Sequence, residues 1–356
     1  MDVEGTPSSD FNDTQKEGKM RVNREKLLNE LESVRPGLSP KEIIEQSSCF
    51  VFQEGSVMTY NDEVACRRKC SLEITGAVQA EPLLQMLQKL PNDEVDVEMG
   101  EGEFRLKAGR RSTGIRMEQQ ILLPIGAVEK PQGWKPLDPE FAEAVDIVSR
   151  CASKDQSQFS LTCVHIHQKW VEACDNYQLS RFPIKNPVDQ ACLVRVESLR
   201  HIVDLQMSKF SETDAWIHFR NKSGLRLSCR RSLETYPDFG KFLEVKGTPT
   251  TLPKGLGEAV DKAEVFSKEN ADNNQVIVEL SPNNGGRLTV VGEGVSGWYR
   301  EVKKLKYRGT SFKFRIDPKL LIEITDRHND CEISEKHLIV NGARFKYCTC
   351  LGKASE

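Results

Sequence analysis

The sequence predicts an α+β protein of three similar domains, each with two helices packed on a mainly antiparallel sheet. Three observations predict it. A strand–turn–strand stretch at the centre, Val171-Glu172-Ala173-Cys174-Asp175-Asn176-Tyr177-Gln178-Leu179-Ser180-Arg181-Phe182, has a weaker counterpart at 57–65 and a diverged one at 288–298. Each lies within the same order of elements, helix, strands, helix, strands, repeated over roughly 100 to 120 residues, a normal domain size. Hairpin turns dominate the connections, so the strands run antiparallel and the helices must cover one face of them.

The first pass opens with a helix over 23–34, its apolar face formed by Leu27, Leu28, Leu31 and Val34, and Pro36-Gly37 ends it. Strands follow at 48–52 and 57–60 around Glu54-Gly55, and at 72–78. A second helix runs over 81–90, with Pro82 in its first turn and Leu83, Leu84, Leu87 and Leu90 along one side. Alternation of apolar and polar residues marks strands at 95–99, 104–107 and 112–117.

The order restarts after a Pro- and Gly-containing connector at 124–136. Asp138 is expected to cap a helix with Pro139 as its first residue and Phe141, Ala144, Val145 and Val148 inward. Strands are expected at 159–167 and 169–173, then the central turn, then a strand at 191–196. A helix over 196–207 turns Leu199, Ile202 and Val203 inward. Strands at 215–219 and 225–229 flank a turn at 221–224.

The third pass begins with a helix over 255–267, with Ala259, Val260, Ala263 and Phe266 inward. Strands at 275–280 and 287–291 flank a turn at 282–286, and another strand covers 311–316. Asp317-Pro318 opens a helix with Leu320, Leu321 and Ile324 inward. Strands at 331–334, 337–340 and 344–350 are separated by Glu335-Lys336 and Asn341-Gly342. The domains are thus expected at 20–125, 135–247 and 248–353, behind a polar, disordered tail at 1–19.

Composition narrows the function. Fifty Lys and Arg against 53 Asp and Glu leave a net charge of −3, which excludes a protein basic all over but not one with a basic stripe. No apolar run reaches the roughly 18 residues of a membrane span. The start lacks the basic-then-apolar plan of a signal peptide. Eleven cysteines, scattered and odd in number, read as reduced thiols of a cytosolic protein.

Catalytic signatures are missing. Gly285-Gly286 and Gly292-Glu293-Gly294 read as turn glycines, because no Gly-Lys-Ser/Thr opens a helix after them. No GxSxG, HExxH or EF-hand loop occurs. Cys163, His165 and His167 alternate along one strand and share a face, the one arrangement that suggests a metal-dependent enzyme, but no nearby carboxylate or further cluster has ligand spacing and strand alternation explains the pattern. Cys66 with Cys70, and Cys348 with Cys350, lack the paired knuckles of a zinc site. No cofactor is expected.

Two short segments within the threefold frame carry a resemblance. Residues 171–179 look like V-A-T-D-G-H-R-L, and Thr235-Tyr236-Pro237-Asp238-Phe239-Gly240-Lys241-Phe242-Leu243 looks like R-F-P-D-Y-x-x-V-L. Both are segments of the bacterial DNA polymerase III beta subunit, the sliding clamp, which the chain resembles from 20 to 351. The resemblance implies a DNA clamp fold and a head-to-tail homodimer closing a ring of six domains, with helices lining the hole. Such a ring encircles duplex DNA and tethers a replicative polymerase, so that processivity rises without chemistry by the clamp. The implied location is cytoplasmic and nucleoid-associated, with no membrane partner.

A sliding ring needs basic side chains near phosphates and no grip on bases. Candidates on the predicted helices and their ends are Arg24, Lys26, Arg35, Lys41, Lys89, Arg150, Lys154, Arg200, Lys254, Lys262, Lys319 and Arg327. Each also fits an ordinary solvated helix face. The family's polymerase and clamp-loader partners insert a short peptide into a pocket. Carried over by position, that pocket comprises Cys174, Asn176, Tyr177, Gln178, Leu179, Pro237, Lys241, Phe242, Cys348 and Cys350. The apolar members suit a peptide cleft and equally a filled domain junction. The dimer contact would join the strand carrying Arg110, Thr113 and Ile115 to Val265 and Phe266, a pair that also fits its own domain core.

The chain departs from the family where partners bind. Asn176-Tyr177-Gln178 replaces Gly-His-Arg, and Cys348-Thr349-Cys350-Leu351 replaces the C-terminal M-P-M-R-L. These changes point to a different peptide or a divergent, phage-type replisome. They also leave open a clamp-like adaptor that does not close a ring.

Overall fold

The computed structural model describes residues 19–270 and 274–353; most of the expected tail, 1–18, lies outside them. All strand pairs are antiparallel and fall into three sheets. The chain divides into two compact units, one of residues 1–134 with 211–230 and one of residues 135–210 with 231–356.

In the first unit Asn23 accepts a hydrogen bond from the Lys26 amide at 2.9 Å, and this cap starts α1 (Arg24–Val34). Such a cap contributes about 1 kcal/mol. Leu27, Leu31 and Val34 are buried beneath it. A second helix, α2 (Ala80–Lys89), packs beside α1 and buries Leu83, Leu84 and Leu87. The strands run side by side in the order Met20–Asn23, Glu94–Gly100, Glu103–Ala108, Arg111–Glu118, Gly76–Gln79, Cys49–Gln53, Ser56–Tyr60, Val64–Lys69, Arg226–Arg230, Trp216–Asn221. The helices lie on one face of the sheet. The connector, with Leu123 and Val128 buried, packs with Met58, Tyr60 and Trp216 in a second core cluster. Gln46, buried with a left-handed φ of 61°, holds that connector by accepting from the Leu122 and Leu123 amides.

In the second unit α3 (Phe141–Ser149) and α4 (Val196–Leu199) pack on an eight-stranded sheet, and α5 (Ile202–Leu205) packs against α3. Its order is Cys192–Arg195, Cys163–His167, Trp170–Cys174, Gln178–Pro183, Lys346–Cys350, His337–Asn341, Asp330–Ile333, Thr248–Thr251. A short helix, α6 (Gly240–Leu243), precedes the last of these in sequence terms. A five-stranded sheet carries α7 (Leu256–Ser267) and α8 (Pro318–Thr325). Asp317 caps α8, accepting from the Lys319 amide at 2.8 Å.

Several expectations are corrected. The helix expected from Asp138 starts at Phe141, because the Asp138 carboxylate accepts from the Glu140 amide at 3.0 Å and closes a turn. Residues 159–162 form a 3₁₀ turn rather than a strand, with the Thr162 hydroxyl donating to the Phe159 carbonyl. The helix expected over 196–207 breaks in two and ends at Gln206, whose φ of 49° is left-handed. Met207–Glu212 then continues as a strand, and Val203 is exposed rather than inward. Of 72–78 only the end is strand, Gly76–Gln79, although Leu72 and Ile74 are buried. Phe266 is half-buried. Gly292 lies within a strand, where a Cβ would stand 2.0 Å from the Ala263 carbonyl oxygen of α7. Close packing of strand on helix therefore requires that glycine. The edge strand Trp298–Lys304 was not expected at all.

Candidate functional site

The central turn is pinned by one carboxylate. Asp175 Oδ1 accepts from the amides of Tyr177 at 2.7 Å and Gln178 at 2.8 Å. This side-chain turn brings Trp170–Cys174 and Gln178–Pro183 together as a hairpin. Lys346–Cys350 adds to the hairpin, with Leu179 opposite both Cys174 and Cys348. Opposed residues share a face, so these three side chains form a floor.

Two walls rise from it. The 3₁₀ turn supplies Phe159 and Leu161, and the segment before and within α6 supplies Pro237, Phe239 and Phe242. Together they enclose an open cleft of about 730 Å³. Phe242 and Tyr177 present 45% and 65% of their surface, so apolar area faces solvent at the mouth. All the predicted cleft residues except Lys241 line it. Sequence reasoning misses the 3₁₀ wall and Phe239; Phe239 lies inside the motif at 235–243, whereas the apolar run at 159–161 reads as strand.

The second wall is held from behind. Tyr236 stacks on His165 with ring centroids 4.7 Å apart and donates from its hydroxyl to Cys174 Sγ at 3.2 Å. Burial pushes the phenol pKa upward. His165 Nδ1 lies 2.8 Å from the buried Glu172, which also accepts from Trp170 Nε1 at 3.1 Å and Arg181 Nε at 2.7 Å. Burial raises the Glu172 carboxyl, but the His165 hydrogen bond and the Arg181 charge outweigh it and hold the group below its ordinary value.

This network also bears on the metal reading. His165 is committed to Glu172, His167 stacks on Trp170 at 3.7 Å, and Cys163 Sγ faces the Phe159 carbonyl at 3.4 Å. Among the described residues no three His, Cys, Asp or Glu side chains converge as a metal site. The cleft thiols are poor nucleophiles: burial pushes Cys174 to about 12 and Cys348 to about 11.

The basic candidates divide. In the first unit Arg24 is spent on its own chain, donating to the carbonyls of Asn92 and Leu87 at 3.0 Å each. Lys26, Arg35, Lys41 and Lys89 are exposed, Lys41 on a loop rather than a helix. In the second unit Arg150, Lys154 and Arg200 border one hollow with Arg195 and with the acids Asp146, Glu197, Asp204 and Glu323. Arg150 pairs with Asp146 at 2.9 Å and Glu323 at 3.1 Å. Lys262 pairs with Glu301 at 3.2 Å; Lys319 and Arg327 each lie 3.9 Å from a carboxylate. Lys254 is exposed.

Two open sheet edges stand at the predicted contact residues. Arg111–Glu118 pairs with Gly76–Gln79 only through Met117 and Glu118, so among the described residues 111–116 has one unpaired side. Arg110 is exposed, Thr113 half-buried, and Ile115 faces its own core. On the other unit Val265 is exposed, and among the described residues Trp298–Lys304 pairs on one side alone, with Trp298 and Val302 exposed. Phe266 covers Gly297 beside that edge.

No family model matches the sequence, and no curated protein matches it. Solved structures do match in fold. The DNA polymerase III beta subunit of Thermotoga maritima aligns with a TM-score of 0.78 at 14% identity, over 95% of this chain and all of that one. The beta chain from Streptococcus pneumoniae gives 0.79 at 17% identity, over 94% of this chain and 100% of that one. The DnaN sliding clamp of Bartonella birtlesii, bound to griselimycin, gives 0.80 at 14% identity, over 94% and 99%. The chain therefore has the α+β fold of the bacterial sliding clamps, with a sequence far diverged from theirs.

Proposed function

We propose that this protein is a DNA sliding clamp, a head-to-tail homodimeric ring that encircles duplex DNA and tethers a replicative polymerase. The observation that carries the reading is the cleft on the central hairpin, in a chain that follows the clamp fold over 95% of its length. The cleft offers Leu179, Pro237, Phe239 and Phe242 to the apolar end of a short peptide, and Tyr177 at its mouth. Polymerase and clamp loader would compete for it. The three domains of this reading are 20–125, 135–247 and 248–353.

Ring closure would pair the open edge at 111–116 of one protomer with Trp298–Lys304 of its partner, covering Val265, Trp298 and Val302. Strand addition at an open edge supplies main-chain hydrogen bonds, and the apolar side chains supply burial. The exposed basic residues Lys26, Lys89, Lys154, Arg200 and Lys254 would face phosphates. The pairing of Arg150, Lys262 and Lys319 with acids fits a surface that slides rather than grips. The protein itself carries out no reaction in this reading, and its place is with the replicating DNA of the cytoplasm.

Retention on circular DNA tests the proposal. The protein is loaded by a clamp loader onto a closed circle, which is then cut. Retention that ends on linearisation is the expected result. Salt-sensitive binding to both forms alike would instead mean ordinary electrostatic binding. No retention with an active loader would leave an adaptor with a clamp fold.

A further inference from the structure

Three arginines stand side by side on the sheet of the first unit. Arg67 opposes Arg226, and Arg226 in turn opposes Arg220 on the next strand. Directly opposed residues project from one face with Cβ atoms about 4.5–5.5 Å apart. The three therefore form a row about 10 Å long. The neighbouring Arg68 donates to Ser33 Oγ of α1 at 2.9 Å. By alternation the row projects from the opposite face, away from α1 and α2.

Like charges placed opposite one another destabilise a sheet. At Arg67 and Arg226 the chain itself compensates little. Glu54, itself 77% exposed, reaches Arg67 at 3.7 Å. The side chain of Arg226, in the middle and half-buried, makes no hydrogen bond or ion pair among the described residues. Burial, and then the charges of Arg67 and Arg220, push its guanidinium below the ordinary value. At one end of the row the Arg220 guanidinium lies 5.9 Å from the centre of the Trp134 ring. Arg67 and Arg226 also border a crevice whose other lip is Ile125 and Val128 of the connector.

We propose that this row is a binding site for single-stranded nucleic acid, with backbone phosphates on Arg67, Arg226 and Arg220 and a base against Trp134. Guanidinium forks match phosphate oxygens, and a row of this length takes two or three successive phosphates. An acidic peptide would engage the arginines but has no use for the indole. A duplex would engage the arginines but keeps its bases stacked away from the ring. The site lies on the sheet face, so it is separate from the basic residues on the helices and stands whether or not the ring closes.

Fluorescence anisotropy with a labelled oligothymidylate hexamer on the full chain tests it. Three phosphate contacts predict a log–log salt slope of about −2. Combining Arg67→Gln, Arg226→Gln and Arg220→Gln is expected to weaken binding at least about tenfold and flatten that slope. Trp134→Ala is expected to weaken it roughly fivefold or more. Arg226→Lys keeps the charge without the fork and should fall in between. Combining Lys313→Gln, Lys336→Gln and Lys353→Gln removes as much charge elsewhere and should change nothing. Relief of repulsion should hold or raise the melting temperature of the arginine variant, which separates lost binding from unfolding. Iodouracil in the hexamer should photocrosslink to Trp134. Undiminished binding by the triple arginine variant overturns the proposal. So does row-dependent binding of a hexaglutamate peptide with none of the hexamer.

Discussion

The Tyr236 ring stacks on His165 at 4.7 Å, and its hydroxyl reaches Cys174 Sγ at 3.2 Å. Through this contact a strand of the sheet fixes the irregular segment that walls the cleft. The wall has no strand or long helix of its own; its rigidity comes from Tyr236 packed with Phe239 and Leu243 against Leu161, Cys174 and Leu179. Removal of the ring by Tyr236→Ala is therefore expected to cost about 3 kcal/mol of stability and to weaken peptide binding. Tyr236→Phe keeps the stack and should cost about 1 kcal/mol or less. Thermal melting and peptide titration of both variants check this; equal losses from the two would place the weight on the hydroxyl instead.

Phe242 can be tested with little disturbance to the fold because it is 45% exposed. Phe242→Ala should leave stability within about 0.5 kcal/mol. An anchor in an apolar cleft is worth about 2 kcal/mol or more, so affinity for a polymerase-tail peptide should fall about thirtyfold. Adding Leu179→Ala should lower it further without disturbing the proposed dimer contact. Undiminished affinity in isothermal titration would remove the cleft from the proposed function.

Acid sensitivity follows from Glu172. Its carboxyl is held below the ordinary carboxylate value in the folded state. The stability it contributes is complete above the unfolded value, about 4.3, and is lost as pH falls through the folded value. Melting temperature should therefore decline steeply below about pH 4. Glu172→Ala should cost about 3 kcal/mol at neutral pH, since it strands the half-buried Arg181 without its carboxylate. Glu172→Gln should show a shallower acid decline in the same melts; an unchanged slope would assign acid loss to other carboxylates.

The edge at Trp298–Lys304 predicts the oligomeric state. Trp298→Glu with Val302→Glu changes two exposed side chains, so the melting temperature of the monomer should be little affected. Burying two unpaired carboxylates in a strand-to-strand contact is costly, and the dimer should become monomer in sedimentation at micromolar concentration. A dimer that persists would place the subunit contact elsewhere.

Local chemistry alone specified much of this chain. Asn23 and Asp317 satisfy amides three and two residues ahead, and Asp175 does the same for the central turn; such bonds are local and visible in sequence. The spacing of Leu27, Leu31 and Val34, and of Ala259, Val260 and Ala263, likewise showed which helix faces would be buried. Most cleft residues came from two short motifs. What the tertiary structure alone decided lies between distant segments. The helix expected over 196–207 ends at Gln206 because Met207–Glu212 is taken up as a strand, and no local preference announces that. The 3₁₀ wall at 159–162 has the apolar composition of a strand and is defined only by what it packs against. Strand register, finally, sets Arg67 beside Arg226 and Arg226 beside Arg220. Pairing between strands is a non-local choice, so neither the charge row nor the open edges can be read until the sheet is assembled.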